Sequence, residues 1–266
     1  MNRAPSQVDR VLRGALWAVG VPLLRWRARR RIGRLAPGDV TVVTVNWNSH
    51  AYLASSLELV RRRSPESTRI IVVDNHSEDG SRAFLRSRTD VRSVLLPLNA
   101  GHDLALDIGF LLAETEYVVA LDVDAFPIRD GWLDTLLEPL QQGSEIAGAW
   151  LGRRFVHPCC LAMRTARFVG KGHSLRAAYV PRAGADDEAP RGDVGEIMAT
   201  REAGKLHFFP ATSHRGPGDV GTVFGDFVYH NFYATRFAAT ERPVLDRVVR
   251  RDDPAAAWAE ALERYS

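Results

Sequence analysis

The chain has 266 residues, 45% of them hydrophobic and 25% charged, which is the composition of a globular protein with room for a substantial core. The net charge is only +3, and residues 1–39 hold nine arginines against two aspartates, so the rest of the chain is slightly acidic. This distribution excludes a basic nucleic-acid-binding face on the body of the protein, and no nucleic-acid partner is expected.

The two cysteines, Cys159 and Cys160, are adjacent, which excludes a disulfide framework and a zinc-ligand spacing. We therefore expect buried packing roles for them and a reducing, cytoplasmic location. The apolar segment 11–24 contains Arg13 and Pro22 and is shorter than the roughly 20 residues that a bilayer span needs. It also lacks a small-residue cleavage site, so we predict neither a transmembrane helix nor a signal peptide.

Residues 1–38 are predicted to form an amphipathic, basic helical segment. Apolar residues recur there at helical spacing from Val8 to Trp26, and five arginines lie between positions 25 and 31. Two interpretations are open at this point. In the first, the helix lies in an anionic membrane interface, at the inner face of the cell membrane. In the second, it packs on the domain or on a partner, and a solvated basic linker follows it.

The body of the chain alternates short β-branched runs with segments of helical periodicity. Strands are predicted at 40–45, 69–73, 91–96 and 117–121, and helices at 51–63, 81–88 and 104–113. Continuous apolar strands separated by helices indicate an α/β fold with a mainly parallel central sheet that is buried on both faces and flanked by helices.

From residue 146 onward the pattern is weaker. Strands are predicted at 146–150, 161–163, 206–209 and 222–229, helices at 194–203 and 254–265, and mobile loops at 181–192 and 214–218. We therefore expect three parts: the N-terminal segment 1–38, one large domain at 39–250, and a C-terminal helix within 251–266.

Each of the four predicted parallel strands ends in polar residues. In strand order these are Asn46 and Asn48, then Asp74 and Asn75, then Asn99 to Asp103, then Asp122 with Asp124. Ligands of open α/β sheets bind outside the carboxyl ends of the strands. Two neighbouring carboxylates repel each other unless a cation lies beside them, and Mg²⁺ or Mn²⁺ suits oxygen ligands. The pattern predicts a divalent-cation site that neutralises a diphosphate.

Two common nucleotide-binding classes lack support. No glycine fingerprint of the dinucleotide kind follows the first strand, and no GxxxxGK[ST] phosphate loop occurs in the sequence. Dehydrogenase and P-loop chemistry are therefore disfavoured.

Four motifs in chain order resemble those of family 2 glycosyltransferases. They are Asn46-Trp47-Asn48, Val73-Asp74-Asn75 with Ser77-x-Asp79-Gly80, Asn99-x-Gly101, and Asp122-x-Asp124. Each motif is weak alone, but the four together are specific, and the resemblance covers roughly residues 40 to 140. It implies the GT-A fold, with a nucleotide-binding half at 39–125 and an acceptor half at 126–250.

The resemblance implies a nucleotide-sugar donor and Mg²⁺ or Mn²⁺. The implied metal ligands are Asp122, Asp124 and His230, and the implied donor-binding residues are Asn46, Asn48, Asp74, Asn99, Gly101, Asp122 and Arg236. Structural roles compete with several of these: an Asx-turn for Asp74, a plain hydrogen bond for His230 and a surface position for Arg236. Asp103 lines the donor pocket or caps the following helix. The chain departs from the family at Asp107, where an asparagine is common.

Inverting glycosyl transfer needs a general base for the acceptor hydroxyl. In the resembling family this base is a carboxylate that opens a helix in the C-terminal half. Asp193 matches that position, with Glu196 as the second choice; Asp186, Asp187 and Glu188 are further candidates. The competing interpretation is structural, because Asp193 and Glu196 also have the spacing of a helix-capping box.

Polymerising members of the family carry a QxxRW motif and several transmembrane helices, and this chain has neither. A single transfer to a hydroxyl acceptor is therefore expected, the acceptor being a glycan, a lipid-linked molecule or a small molecule. Two alternatives remain. A sugar nucleotidyltransferase would need a Gly-rich, basic loop after the first strand, where this chain has Asn46-Trp47-Asn48. A non-catalytic GT-A-like protein would bind nucleotide or a membrane without turnover.

Overall fold

The computed structural model describes residues 7–177, 192–212, 220–232 and 254–266, with side chains from residue 11 onward. A helical segment opens it: α1 (Gln7–Ala15), a π-helical turn (Leu16–Gly20), α2 (Val21–Arg31) and a 3-10 turn (Ile32–Arg34). Among the described residues, no helix is long and apolar enough to cross a bilayer.

The strands of the described residues form two sheets. In chain order they are β1 (Ala36–Asn46), β2 (Arg69–Asp74), β3 (Arg92–Leu95), β4 (Thr115–Leu121), β5 (Ala125–Pro127), β6 (Ile146–Ala149), β7 (His157–Arg164), β8 (Leu206–Phe209), β9 (Thr222–Phe224) and β10 (Val228–His230). The large sheet has the order β3-β2-β1-β4-β7-β6-β8, and β5-β10-β9 is a small antiparallel sheet. Strands β3, β2, β1 and β4 are parallel, whereas β7 runs antiparallel to both β4 and β6.

Helices cover both faces of the large sheet. After the N-terminal segment they are α3 (His50–Arg63), α4 (Ser81–Ser87), α5 (His102–Leu112), α6 (Trp132–Gln141), α7 (Thr165–Gly170), α8 (Glu196–Arg201) and α9 (Pro254–Tyr265). Alternate residues of β1 serve the two layers: Val43 packs with α2, α5 and α7, whereas Val42 packs with α3 and α6. Each fully buried leucine or phenylalanine in these layers contributes roughly 1.5–3 kcal/mol. The expected mainly parallel α/β fold is confirmed.

Helix α5 lies very close to β1. A Cβ atom built at Gly109 would be 2.2 Å from Cγ1 of Val43, so only glycine permits this approach. The close contact holds α5 against β1, and the loop after β3 leads into the first turn of this helix.

One face of the N-terminal helical segment packs on the domain. Val21 and Ala28 are buried in the layer formed with α5 and α7. Arg25 donates hydrogen bonds to the carbonyl oxygens of Phe168 and His173, and Arg31 donates to Glu114 Oε1 at 2.7 Å. This packing agrees with the second of the two sequence interpretations, except that the arginines at 25–31 belong to helix α2 and not to a solvated linker.

Some predictions of secondary structure need correction. The strand expected at 222–229 is two strands, β9 and β10, because a turn at 225–227 reverses the chain. Helix α6 and strand β5 were not predicted. The loop expected at 181–192 lies outside the described residues except for position 192, and 214–218 lies outside them entirely. The boundaries at 38/39 and 250/251 stay predictions.

Candidate active site

Two carboxylates and one imidazole meet at the carboxyl end of β4. Strand β4 ends at Leu121, and the next backbone N–H, of Asp122, donates to the carbonyl of Cys159 at 3.0 Å. A tight turn then leads into β5, where Ala125 pairs with His230 of β10. The N–H of Asn231 donates to the carbonyl of Asp124 at 2.8 Å, which ties the two sheets together at this point.

The side chains of this cluster point at one another. Nε2 of His230 lies 3.3 Å from Oδ2 of Asp122 and 3.2 Å from Oδ1 of Asp124. Asp124 and His230 are buried, whereas Asp122 keeps one fifth of its side chain exposed. The cluster therefore opens to solvent on the Asp122 side.

The pKa shifts of Asp122 and His230 show that the cluster stabilises a positive charge. Burial opposes ionisation of Asp122, but the hydrogen bond with His230 and the nearby His102 hold its pKa well below the usual range. Burial also opposes a charged imidazole, yet Asp124, the Cys159 sulfur and Asp122 raise the pKa of His230 well above 6.5. A positive charge between the carboxylates, either a proton on His230 or a cation, is what this arrangement stabilises.

The cluster has the donor set of a divalent-cation site. One ligand atom from each of Asp122, Asp124 and His230 lies within 4.8 Å of the others. Two carboxylate oxygens and an imidazole nitrogen suit Mn²⁺ and Mg²⁺, which complete their shell with water and phosphate oxygens. The residues therefore fit the metal that the sequence predicts.

A cleft of about 550 Å³ surrounds the cluster. Besides the cluster, it is lined by Trp47, Asn75, Asn99 and His102 from the first half of the chain, and by Arg153, His157 and Asp193 from the second. The volume is in the range of ligand-binding clefts. Because residues of the predicted donor and acceptor sides line the same cleft, one pocket joins the two.

His102 and His157 flank the cluster, and neither is among the catalytic, donor-binding or metal-binding residues predicted from the sequence. His102 Nε2 lies 3.6 Å from Oδ1 of Asp122, and its side chain is 40% exposed. His157 begins β7, and its Nδ1 accepts the backbone N–H of Cys159 at 3.1 Å. Burial would lower the pKa of His157, but Cys159, Asp122 and Asp193 together raise it. The antiparallel run of β7 beside β4 places His157 here, and no local motif signals that pairing.

The polar ends of β1 and β2 are bonded to each other. Asp74 is fully buried; its Oδ2 accepts from Asn46 at 2.9 Å, and its Oδ1 accepts from the N–H of Ser77 at 3.0 Å and from Arg82 at 3.2 Å. The Ser77 bond caps the end of β2 from three residues on, one residue further than in the Asx-turn that the sequence suggested as an alternative. Asn48 adopts φ +49 and its Oδ1 accepts the N–H of Glu78 at 2.7 Å. These bonds connect the ends of β1 and β2 to the loops that follow them, and the cleft lining does not include Asn46, Asn48 or Asp74. Contacts of these three residues with a donor stay predictions.

The loop after β3 reaches the cleft. Asn99 Oδ1 accepts from Nδ2 of Asn75 at 2.9 Å and from the N–H of Gly101 at 3.0 Å. Gly101 has φ +96, and a Cβ there would lie 2.5 Å from Nη2 of Arg13. Helix α5 begins at His102 after Gly101, so Asp103 is inside the first turn and is not its cap.

Asp107 is buried below this loop. Its carboxylate accepts from the Ser174 hydroxyl at 2.6 Å and from the N–H of Leu175 at 2.8 Å. Burial is the main cause that raises its pKa from 3.8 to about 6. The departure from the family asparagine is therefore a structural feature that anchors the segment before residue 178.

Asp193 lines the cleft opposite His102. Its Oδ2 accepts from Arg153 Nη1 at 2.9 Å, and its side chain is one third exposed. Glu196 begins α8, and its Oε2 accepts the N–H of Asp193 at 2.8 Å, which is half of the expected capping box. Residues 186–188 and Arg236 lie outside the described residues.

The part of the chain that carries the strand-end motifs matches a known family. Residues 41–158 match the model described as Glycosyl transferase family 2. The chain contains a family 2 glycosyltransferase domain. The match runs from β1 to the start of β7 and includes Asp122 and Asp124, while Asp193 and His230 lie beyond it.

Individual relatives of this domain are distant. The chain is similar to the glycosyltransferase GlyG of Streptococcus pneumoniae serotype 4, with 26% identity over 107 residues, which are 39% of this chain and 35% of GlyG. The match thus spans about a third of that relative's length.

The fold of the chain is similar to that of a solved structure of TarS. Residues 1–349 of TarS from S. aureus are 15% identical, cover 85% of this chain and 70% of their own, and superpose with a TM-score of 0.50. A mannosyltransferase from Pyrobaculum calidifontis, solved with GDP-Man and Mn²⁺, is 16% identical and covers 96% of this chain and 85% of its own at a TM-score of 0.44. At 15–16% sequence identity, the ligands of these proteins do not identify the ligands of this chain.

Proposed function

We propose that the protein is a metal-dependent, inverting glycosyltransferase that moves one sugar from a nucleotide-sugar donor to a hydroxyl acceptor. The observation that carries the proposal is the cluster of Asp122, Asp124 and His230 at the floor of a 550 Å³ cleft within a domain of this family. A site that concentrates two carboxylates in one place is built for a cation and the anionic group that the cation brings.

The donor diphosphate binds over the cluster in this proposal. Asp122, Asp124 and His230 would hold Mg²⁺ or Mn²⁺, and the ion would supply positive charge to neutralise the diphosphate leaving group. His102 lies 3.6 Å from Asp122 on the open side and is placed to donate a hydrogen bond to a phosphate oxygen. The nucleoside lies toward Trp47, Asn75 and Asn99, which line the same cleft.

The acceptor hydroxyl enters from the side of β7 and α8. Asp193 takes its proton as the hydroxyl oxygen attacks the anomeric carbon, on the face opposite the leaving diphosphate, which gives inversion. Arg153 and the N–H of Val194 fix the Asp193 carboxylate. Glu196 uses Oε2 to hold the N–H of Asp193, which supports a positioning role and leaves Asp193 as the base.

Turnover of donor tests this proposal. The protein is incubated with UDP-, GDP- and TDP-linked sugars in the presence of Mn²⁺, and release of the nucleoside diphosphate is measured with and without EDTA. We expect release from one donor series that EDTA abolishes and added Mn²⁺ restores. A nucleotidyltransferase would instead release pyrophosphate from a nucleoside triphosphate and a sugar phosphate, and a non-catalytic protein would release neither.

A further inference from the structure

The N-terminal helical segment sorts its arginines between two faces. Arg25 and Arg31 lie on the inner face and bond the domain, and Arg13 lies 3.5 Å from Asp103. Four others are exposed: Arg27, Arg29, Arg30 and Arg34. None of these four has a carboxylate partner among the described residues. The outer face therefore carries unneutralised positive charge.

The same outer face is apolar to an unusual degree. Of the six large hydrophobic side chains that are exposed in the described residues, five belong to this segment: Val11, Leu12, Val19, Leu23 and Trp26. Val19, Leu23 and Trp26 follow one another at helical spacing, and Trp26 is 51% exposed. The guanidinium of Arg30 lies 4.2 Å from the centre of the Trp26 ring, so the apolar row ends in the basic cluster. Exposure of such an apolar row to water does not stabilise the helix, and contiguous apolar patches of this kind mark interaction sites.

Charge and apolar exposure together identify the chemistry of the occupant. Residues 10–38 contain no aspartate or glutamate, so a second copy docking by this face would bring arginines against arginines. A negatively charged lipid surface satisfies both features, because the apolar row enters the acyl boundary while the arginines meet the headgroups.

We propose that the outer face of the N-terminal helical segment docks the protein on an anionic lipid surface. This proposal does not depend on the transferase activity. The docked helix has one functional consequence: Arg13 lies beside Gly101 and Asp103, at the loop that reaches the cleft. Docking by the helix therefore brings that rim of the cleft beside the lipid headgroups.

Vesicle co-sedimentation of the full chain tests this proposal. The probes are vesicles of phosphatidylcholine alone and of phosphatidylcholine with one third phosphatidylglycerol, at low and high salt. We expect binding to the anionic vesicles that weakens with salt. The double variant Leu23→Glu/Trp26→Glu and the double variant Arg27→Glu/Arg30→Glu should each bind at least tenfold less, since each exposed arginine near such a surface contributes about fivefold.

The matched control is Arg86→Glu/Arg201→Glu, which makes the same charge change at exposed positions outside the segment. We expect it to bind within about twofold to threefold of the wild type, the residual loss reflecting net charge alone. Circular dichroism and thermal melting of every variant show whether it is folded; the substituted side chains are all exposed, so melting should be unchanged.

Three results would overturn the proposal. Equal losses in the control and in the Arg27→Glu/Arg30→Glu variant would show non-specific charge attraction. Absence of binding to anionic vesicles by the folded wild type would exclude lipid as the occupant. A concentration-dependent dimer in solution that Leu23→Glu/Trp26→Glu dissociates would assign the face to a second copy. Because donor turnover in solution is measured without vesicles, failure here is distinguishable from failure of the proposed function.

Discussion

At the scale of single residues, the placement of His230 is decisive. Asp122 and Asp124 are one residue apart in sequence, and their proximity was predictable from the strand that they follow. His230 comes from a separate sheet, yet its Nε2 lies within 3.3 Å of both carboxylates. Two carboxylates and an imidazole that is more than 100 positions away in the chain converge on one point, which is what a cation site requires and what a polar turn would not produce.

A buried carboxylic acid gives the clearest prediction of pH dependence. Asp107 has a pKa raised from 3.8 to about 6, mainly by burial. The folded protein therefore keeps a proton that the unfolded chain loses near pH 4. The protonated Asp107 stabilises the folded protein at low pH, and this contribution is lost as the pH rises through about 6. Asp107→Asn should raise the free energy of unfolding at pH 7 by about 1–3 kcal/mol and flatten its fall between pH 4 and 6.

Urea unfolding at pH 4, 5, 6 and 7 measures this effect. Glu263→Gln, an exposed residue of α9, is the matched control and should shift the free energy by less than about 0.5 kcal/mol at every pH. A loss of stability at pH 7 in Asp107→Asn would contradict the account, because it would show that the ionised carboxylate is needed for its bonds to Ser174 and Leu175.

Asp193 and Glu196 give a second residue-scale prediction. If Asp193 is the general base, Asp193→Asn lowers the transfer rate by about 10²–10⁴-fold while donor affinity stays within about twofold. Glu196→Gln can still accept the N–H of Asp193 and should lower the rate by less than about tenfold. Single-turnover rates and donor titrations measure both quantities. The reverse order of losses would transfer the catalytic role to Glu196.

At the scale of elements, much of the parallel sheet was predictable. Strands β1, β2 and β4 are largely buried, so their sequences are apolar runs without competing helical periodicity. Strand β3 lies at the edge of the sheet and is only partly buried. Helix α9 was predicted with the bounds that the structure has, Pro254–Tyr265, because its apolar residues recur at helical spacing. The local sequence pattern is enough to predict an element where that pattern is compatible with only one type of secondary structure.

Other elements depend on information that is not local. Helix α6 contains Pro139, which disfavours helix in a sequence pattern, yet its buried Trp132 and Leu136 hold it against the sheet. The turn at 225–227 interrupts an apolar run whose sequence predicts a single strand. Arg153 and His157 reach the cleft only because β7 pairs antiparallel with β4, and no short motif encodes that pairing.

The contact between α5 and β1 is an element-scale prediction. Gly109→Ala would place a Cβ 2.2 Å from Cγ1 of Val43, and the helix must move away from the sheet. We expect a loss of about 1–3 kcal/mol in the free energy of unfolding. The control Gly170→Ala has no atom within 4 Å of the added Cβ and should be neutral or slightly stabilising. Equal stabilities of the two variants would show that α5 is not held at this distance.

At the scale of the whole molecule, one cleft joins residues from two distant parts of the chain. Asn75, Asn99 and His102 come from the part that is predicted to bind the nucleotide, and Arg153, His157 and Asp193 come from the part beyond residue 125. The cation cluster lies between them. In the proposed reaction, donor and acceptor meet at this boundary, and the N-terminal helix packs beside the loop that borders it.

The most direct test of the central claim is nucleotide binding measured by calorimetry. UDP, GDP and TDP are titrated into the wild type and into Asp124→Asn, each with and without Mn²⁺, and Asp134→Asn, an exposed residue of α6, is the control. We expect one nucleoside diphosphate to bind, Mn²⁺ to strengthen its binding at least tenfold, and Asp124→Asn alone to remove this gain. Binding that is unaffected by Mn²⁺ or by Asp124→Asn would contradict the account, and so would a failure of all three nucleotides to bind the folded protein.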